Sequence, residues 1–170
     1  MTQQGDARRV SETALSVAQL MMPSHANPAG NIHGGQLMKM IDDAAGAVAV
    51  RHARANMVTA SIDRLDFHAP VYVGNLVVLK ASINFVGRTS MEIGVRVEAE
   101  DLRRGDVRHT ASAYLTFVSL DDEGKPQEIP GLLLETDEER RRWEAGASRR
   151  RDRMRSRGLL RDQGLEKPLG

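Results

Sequence analysis

At 170 residues the chain is long enough for one domain with a real core plus an appendage, so no covalent or metal staple is required. It contains no cysteine, which excludes a disulfide framework, a thiolate nucleophile and a Cys-based zinc site. The formal net charge of +1 gives no global drive towards nucleic acid or membrane, and no stretch approaches the roughly 18 apolar residues of a membrane span. The N-terminal stretch lacks the apolar core of a signal peptide, so a cytoplasmic setting is expected.

Residues 1–10 are polar and are expected to fray. Residues 11–22 read as a first strand, followed by the turn-rich PSHANPAGNIHGG. That segment feeds the one long apolar helix pattern, residues 36–53, in which Leu37, Ile41, Ala44 and Val48 recur at helical spacing. Gly46 weakens it locally. The period then changes to two. In residues 57–67, Val58, Ala60 and Ile62 share a face but Leu65 and Phe67 take the opposite parity, which predicts a bulge near Asp63–Arg64. Residues 76–86, 90–100 and 107–119 alternate as long half-buried strands joined by short turns, an antiparallel meander. Residues 121–134 read as an irregular linker. A charged helix follows, with a capping box at Thr136 and Glu139 and a predicted interruption near Gly146 and Ser148. The expected organisation is a flexible stretch 1–10, a domain over 11–122, a linker over 123–134 and a charged helical tail over 135–170. One apolar helix on one antiparallel sheet makes an α+β fold of two layers.

Chemistry concentrates at the start of the helix. Gly34 and Gly35 leave backbone N–H groups accessible there, and such groups can hold an oxyanion; the same residues also suit a plain loop-to-helix turn. On the helix, Lys39 and Asp43 can pair at i,i+4, whereas Asp42 falls on a stripe with Gly35, Met38, Gly46 and Ala49, at the border of the apolar arc. A carboxylate there can act as general base or nucleophile, or simply hold a local partner. Asp42 lies seven residues beyond Gly35, about 10 Å along the axis, which is compatible with a site shared by two antiparallel helices of two subunits. His33 can serve as a base or as a polar anchor of the turn. The histidines at 25, 33, 52, 68 and 109 form no metal-ligand spacing, and G-x-S-x-G, P-loop and G-x-G-x-x-G patterns are missing, so no metal is expected. Arg88, Thr89 and Ser90 form a turn that can take phosphates or be merely solvated. The arginines of the tail are diluted by Glu135, Asp137, Glu138, Glu139 and Glu144, so a solvated or partner-packing helix is expected, not a nucleic-acid-binding one.

The run NPAGNIHGGQLMKMIDDAAGAVAVRHA resembles the cytosolic acyl-CoA thioesterases of the hotdog superfamily, in particular the brain-type acyl-CoA hydrolases and their bacterial relatives. Further matches are MVTASIDRLDFHAPV, GRTSMEIGVRVEAE, ASAYLTFVSLDDEGKP and the tail pattern P-x-L-x-x-E-T-x-x-E-x-x-R-x-E. The resemblance implies a hotdog fold, a sheet wrapped around a central helix. It also implies a homo-oligomer, a dimer of hotdogs further assembled as a trimer of dimers, and hydrolysis of acyl-CoA with no cofactor, CoA being part of the substrate. It places the catalytic asparagine on Asn31, the carboxylate on Asp42 and the oxyanion donor on the Gly35 N–H with Gly34 beside it. His33 has an open role. CoA contacts are expected at Arg88, Thr89 and Ser90, with Thr59 and Ser61 near the pantetheine channel. Two alternatives share this fold: a non-catalytic acyl-CoA-binding or sensing protein, and an enoyl-thioester hydratase or dehydratase using His33.

Overall fold

The computed structural model describes residues 7–162, with side chains to residue 158. The elements in chain order are β1 (Arg8–Arg9), α1 (Val10–Thr13), β2 (Leu15–Leu20), a 3-10 turn (Pro23–His25), α2 (Gly34–Ala53), β3 (Asn56–Phe67), β4 (Asn75–Val86), β5 (Ser90–Asp101), β6 (Asp106–Leu120), β7 (Leu132–Leu133) and α3 (Asp137–Asp162). The sheet has the order β2-β4-β5-β6-β3, antiparallel throughout, with β2 and β3 at its edges.

The two-residue period carries through as predicted. Val77, Leu79, Ala81 and Ile83 of β4 face inward beside Met91, Ile93, Val95, Val97 and Ala99 of β5 and Ala111, Ala113, Leu115 and Phe117 of β6. Against this face lies α2, burying Leu37, Met40, Ile41, Ala44, Ala45, Val48 and Ala49 and touching all five strands. Alanines at 44, 45 and 49 keep the helix close to the sheet. The larger Ile41, Ile93 and Leu115 fill the space between, each burial contributing about 2 kcal/mol. α2 begins two residues earlier than expected, at Gly34, runs unbroken through Gly46, and ends on Arg54 in the left-handed region (φ 54°).

β3 has two irregularities. Its register against β6 slips between Ile62 and Arg64, at the expected bulge, and again between Thr59 and Ser61. The slips turn side chains of one strand to both faces, and bulges of this kind gather at sheet edges.

Three local expectations change. Residues 11–22 are not one strand: α1 closes on buried Thr13, whose hydroxyl donates to the Val10 carbonyl, and only Leu15–Leu20 pairs with β4. Of the stretch expected to fray, residues 1–6 lie outside the described residues, but Arg8 and Arg9 pair in parallel with Leu132 and Leu133. The linker is irregular as expected except for that pairing at Leu132–Leu133. Helix α3 passes through Gly146 and Ser148 without a break. Gly146 is a contact point: a Cβ there would stand 2.8 Å from the Phe85 Cβ, so glycine is what lets α3 approach the outer face of the sheet. The capping box at Thr136 and Glu139 forms as expected.

The strap before β7 closes over the end of α2 at His52. This imidazole is fully buried, its Nε2 lies 2.9 Å from the Pro130 carbonyl, and its Nδ1 has no partner among the described residues. Burial holds its pKa below the ordinary 6.5, against the raising effect of the Pro130 bond. Below that ordinary value the unfolded chain binds a proton that the folded chain resists, so this contribution to stability is complete above pH 6.5 and is lost as pH falls. Thermal melts across that range should show Tm falling on acidification, with a shallower fall in His52→Gln, which keeps a donor for Pro130; parallel curves would contradict the assignment.

Candidate active site

The segment between β2 and α2 is held by its own backbone. Asn27 N–H donates to the Asn31 carbonyl (2.7 Å), Ile32 N–H to Val71 O (2.8 Å) and His33 N–H to His25 O (2.9 Å). The Asn27 Oδ1 accepts from the Ala29 and Asn31 N–H groups at 3.0 and 3.3 Å. Its carbonyl is thereby pinned and its Nδ2 is left to donate. Asn31 bridges to Tyr72 through its backbone, and its side-chain amide makes no hydrogen bond among the described residues. Asn27, Asn31, Gly34, Leu37, Phe67 and Val71 line a cavity of 330 Å³. A larger groove of 670 Å³ lies elsewhere, on the outer face of the sheet beneath α3.

At the helix start, His33 is the N-cap. Its Nδ1 accepts the Gly35 N–H at 2.9 Å. The imidazole thus anchors the turn, and it occupies the amide expected to serve as oxyanion donor. The Gly34 N–H has no acceptor among the described residues.

Two turns along α2, Asp43 pairs with Lys39 at 2.6 Å in solvent, as its spacing predicted. Asp42 is half-buried and turns to the sheet, where its Oδ1 accepts from the Thr59 hydroxyl at 2.7 Å. Ser61 uses its hydroxyl on Asp63 at 2.7 Å. Both hydroxyls expected near a pantetheine channel therefore hold carboxylates. The Arg88-Thr89-Ser90 turn joins β4 to β5; Arg88 reaches Glu128 at 3.4 Å, both well exposed. On β6, Val118 pairs with Ser90 on one side and Val58 on the other, so this turn and Thr59 share one end of the sheet. Asn27 and Gly34 gather at the other end, where a Cβ on Gly34 would lie 3.8 Å from the Phe67 ring. One chain thus carries two groups of candidate residues, separated along α2 and along β3.

The thioesterase superfamily model matches residues 29–105. An uncharacterized acyl-CoA thioester hydrolase, YkhA of Bacillus subtilis, is 36% identical over 167 residues, 96% of this chain and 97% of that protein. The chain belongs to the thioesterase superfamily. The mouse cytosolic acyl coenzyme A thioester hydrolase is 39% identical over 142 residues, 82% of this chain but 37% of that protein, so the chain spans little more than a third of the mammalian relative. Among solved structures, an apo-hexameric acyl-CoA thioesterase superposes with TM-score 0.86 at 34% identity, over 91% of this chain and 99% of that one. The acyl-CoA hydrolase of Staphylococcus aureus, in complex with butyryl coenzyme A, coenzyme A and coenzyme A disulfide, gives TM-score 0.84 at 33% identity, over 94% and 96%. Variants of that hydrolase with an aspartate, an asparagine or a threonine replaced by alanine have the same fold. The hotdog expected from the sequence is the fold of this superfamily member.

The His33 cap is independently testable. His33→Ala removes the acceptor for the Gly35 N–H and should cost on the order of 1 kcal/mol in urea unfolding. An unchanged unfolding free energy would show that the cap contributes nothing.

Proposed function

We propose that this chain hydrolyses acyl-CoA thioesters to free CoA and a carboxylic acid, at a site assembled from two copies of the chain in the cytosol. The observation that carries the proposal is the Asp42–Thr59 hydrogen bond, a half-buried carboxylate held against the edge strand. Its parts match the Staphylococcus enzyme. The asparagine and aspartate replaced there stand 15 residues apart, and the aspartate and threonine 17. In this chain Asn27 to Asp42 is 15 residues and Asp42 to Thr59 is 17. The asparagine role, expected at Asn31, is therefore better given to Asn27. Its Oδ1 is pinned by two backbone donors, which fixes the direction of its Nδ2. A donor set before the reaction needs no reorganisation during it.

The topology supports two chains. β3 is an edge strand, and Val58, Ile62 and Phe67 are exposed along it. Antiparallel pairing of two such edges about a two-fold axis brings the Thr59 end of one strand beside the Phe67 end of the other. That places Asp42 and Thr59 of one chain next to Asn27 and Gly34 of its partner. Solved relatives described as hexameric fit further assembly as three such dimers.

In the proposed reaction the thioester carbonyl lies at the start of α2, its oxygen facing the Gly34 N–H; the Gly35 N–H, which donates to His33 Nδ1, would have to be released from that bond to join it. Asp42 of the other chain takes a proton from water, and the water oxygen bonds to the carbonyl carbon; in the alternative entry the carboxylate itself displaces the thiolate, and water then cleaves the mixed anhydride to the carboxylic acid, its released proton going to the thiolate. Negative charge builds on the former carbonyl oxygen, held by the helix-start amides and Asn27 Nδ2. Collapse breaks the C–S bond, and the proton on Asp42 passes to the departing thiolate. A thioester is already activated, so one carboxylate and a few donors suffice. No cofactor is needed in this scheme, and in it the Arg88-Thr89-Ser90 turn, at the Thr59 end of the sheet, would take CoA phosphates. The hydratase reading rests on His33, which the helix uses as its cap.

Release of free thiol from acyl-CoAs of graded chain length is the direct test. The wild-type protein should liberate thiol, and Asp42→Asn should lower kcat by about 10²–10⁴ with KM little changed. Bound but intact acyl-CoA would favour the binding protein, hydration without thiol release the hydratase. Near-wild-type kcat in a folded Asp42→Asn variant would remove Asp42 from the mechanism.

A further inference from the structure

The outer face of the sheet carries a row of polar and aromatic groups across four strands: Phe85 and Asn84 on β4, Glu92 on β5, Tyr114 and Thr116 on β6, and Asp63 on β3. Helix α3 crosses them in that order. Trp143 packs on Phe85 (ring centroids 5.3 Å apart), Arg149 holds buried Glu92 with bonds of 2.6 to 3.2 Å, and Arg153 Nη1 reaches Asp63 Oδ2 at 2.6 Å. Trp143, Gly146, Arg149 and Arg153 follow one another three or four residues apart, so these contacts lie on one face of an otherwise charged helix.

The last contact differs from the others because Asp63 sits in a bulge of β3. Its Oδ2 also accepts from Thr116 (2.7 Å) and its Oδ1 from Ser61 (2.7 Å). The Asp63 and Arg153 side chains are only 14% and 16% exposed, so this is a largely desolvated ion pair, with three of the about four acceptor sites of the carboxylate filled. The two register slips of β3, between Thr59 and Ser61 and between Ile62 and Arg64, bracket the stretch Ser61–Ile62. Thr59, which holds Asp42, stands at the first slip, and Asp63 stands within the second. At the two slips Ala60 and Asp63 have no ladder partner on β6, so side-chain bonds help fix the path of the strand there.

We propose that Arg153 and Asp63 are positioning residues for the active site: through the Arg153–Asp63 pair, α3 clamps the β3 bulge and thereby fixes Thr59 against Asp42. The inference rests on Asp42 acting as proposed above. Arg153 touches no substrate in this account. It sets the geometry of the residue that orients the carboxylate, and misplacements of about 1 Å can cost as much as 10²-fold in rate.

Three variants of the full chain test this: Arg153→Met, Arg153→Lys, and Trp143→Leu, which loosens the other end of α3 without touching Asp63. Arg153→Met should lower kcat by about tenfold with KM within about twofold, and Arg153→Lys should recover most of it. Trp143→Leu should lower Tm at least as much yet leave kcat close to wild type. Hydrogen exchange across residues 56–64 should quicken in Arg153→Met and not in Trp143→Leu. Unchanged kcat and exchange in Arg153→Met overturn the proposal, as does an equal loss of kcat in Trp143→Leu, or a loss explained by dissociation on sizing. If the wild-type protein hydrolyses no acyl-CoA, the functional reading fails on its own, and unchanged exchange at 56–64 still decides against the clamp.

Discussion

The structure turns on one short bond, from the Thr59 hydroxyl to the Asp42 carboxylate. A carboxylate on a helix whose other inward positions, His52 apart, are Leu, Ile, Met, Val and Ala would be costly to desolvate without a donor. Thr59 supplies one from the edge of the sheet, where water and a partner can also reach. The helix must therefore lie at a fixed height and rotation over the sheet. The run of alanines at 44, 45 and 49 permits that close approach, and the fully buried Ile93 and Leu115 fix its depth. Both ends of α2 are closed by histidines used as packing and capping groups, His33 on Gly35 and His52 on Pro130.

Much of this was legible in the chain. Periodicity located α2, the four long strands and the bulge at Asp63, because each signal is local and repeats along one element. The helical angle separated Asp42 from Asp43, since one borders the apolar arc and the other can pair with Lys39. The short helix α1 was not legible, because four residues are too few to show a period. Gly146 looked like a breaker because its use, a close approach to Phe85, depends on a residue far away in sequence. The Arg153–Asp63 pair spans 90 residues and leaves no local mark at all. Asn27 and Asn31 stand in one turn-rich segment with equal claims by type. The proposed choice of Asn27 rests on its 15-residue spacing to Asp42, and the two backbone amides that pin its oxygen are a detail only the folded loop supplies.

The separation of parts along β3 gives the edge strand a double role in the proposed function. It holds the carboxylate through Thr59 and offers the surface on which a second copy delivers the helix start. Bulges commonly blunt edges against indiscriminate pairing. In the proposed dimer the exposed Val58, Ile62 and Phe67 would meet one antiparallel partner along this edge.

Mixing two inactive variants tests the shared site most directly. Asn27→Ala and Asp42→Asn chains, each without activity alone, would be dissociated together and reassembled. If the site is built from two chains, half of the dimers are mixed and each carries one intact site, so about a quarter of wild-type thioester hydrolysis should return. No recovery in a mixture shown to contain mixed dimers would place both residues in a single-chain site and contradict the account.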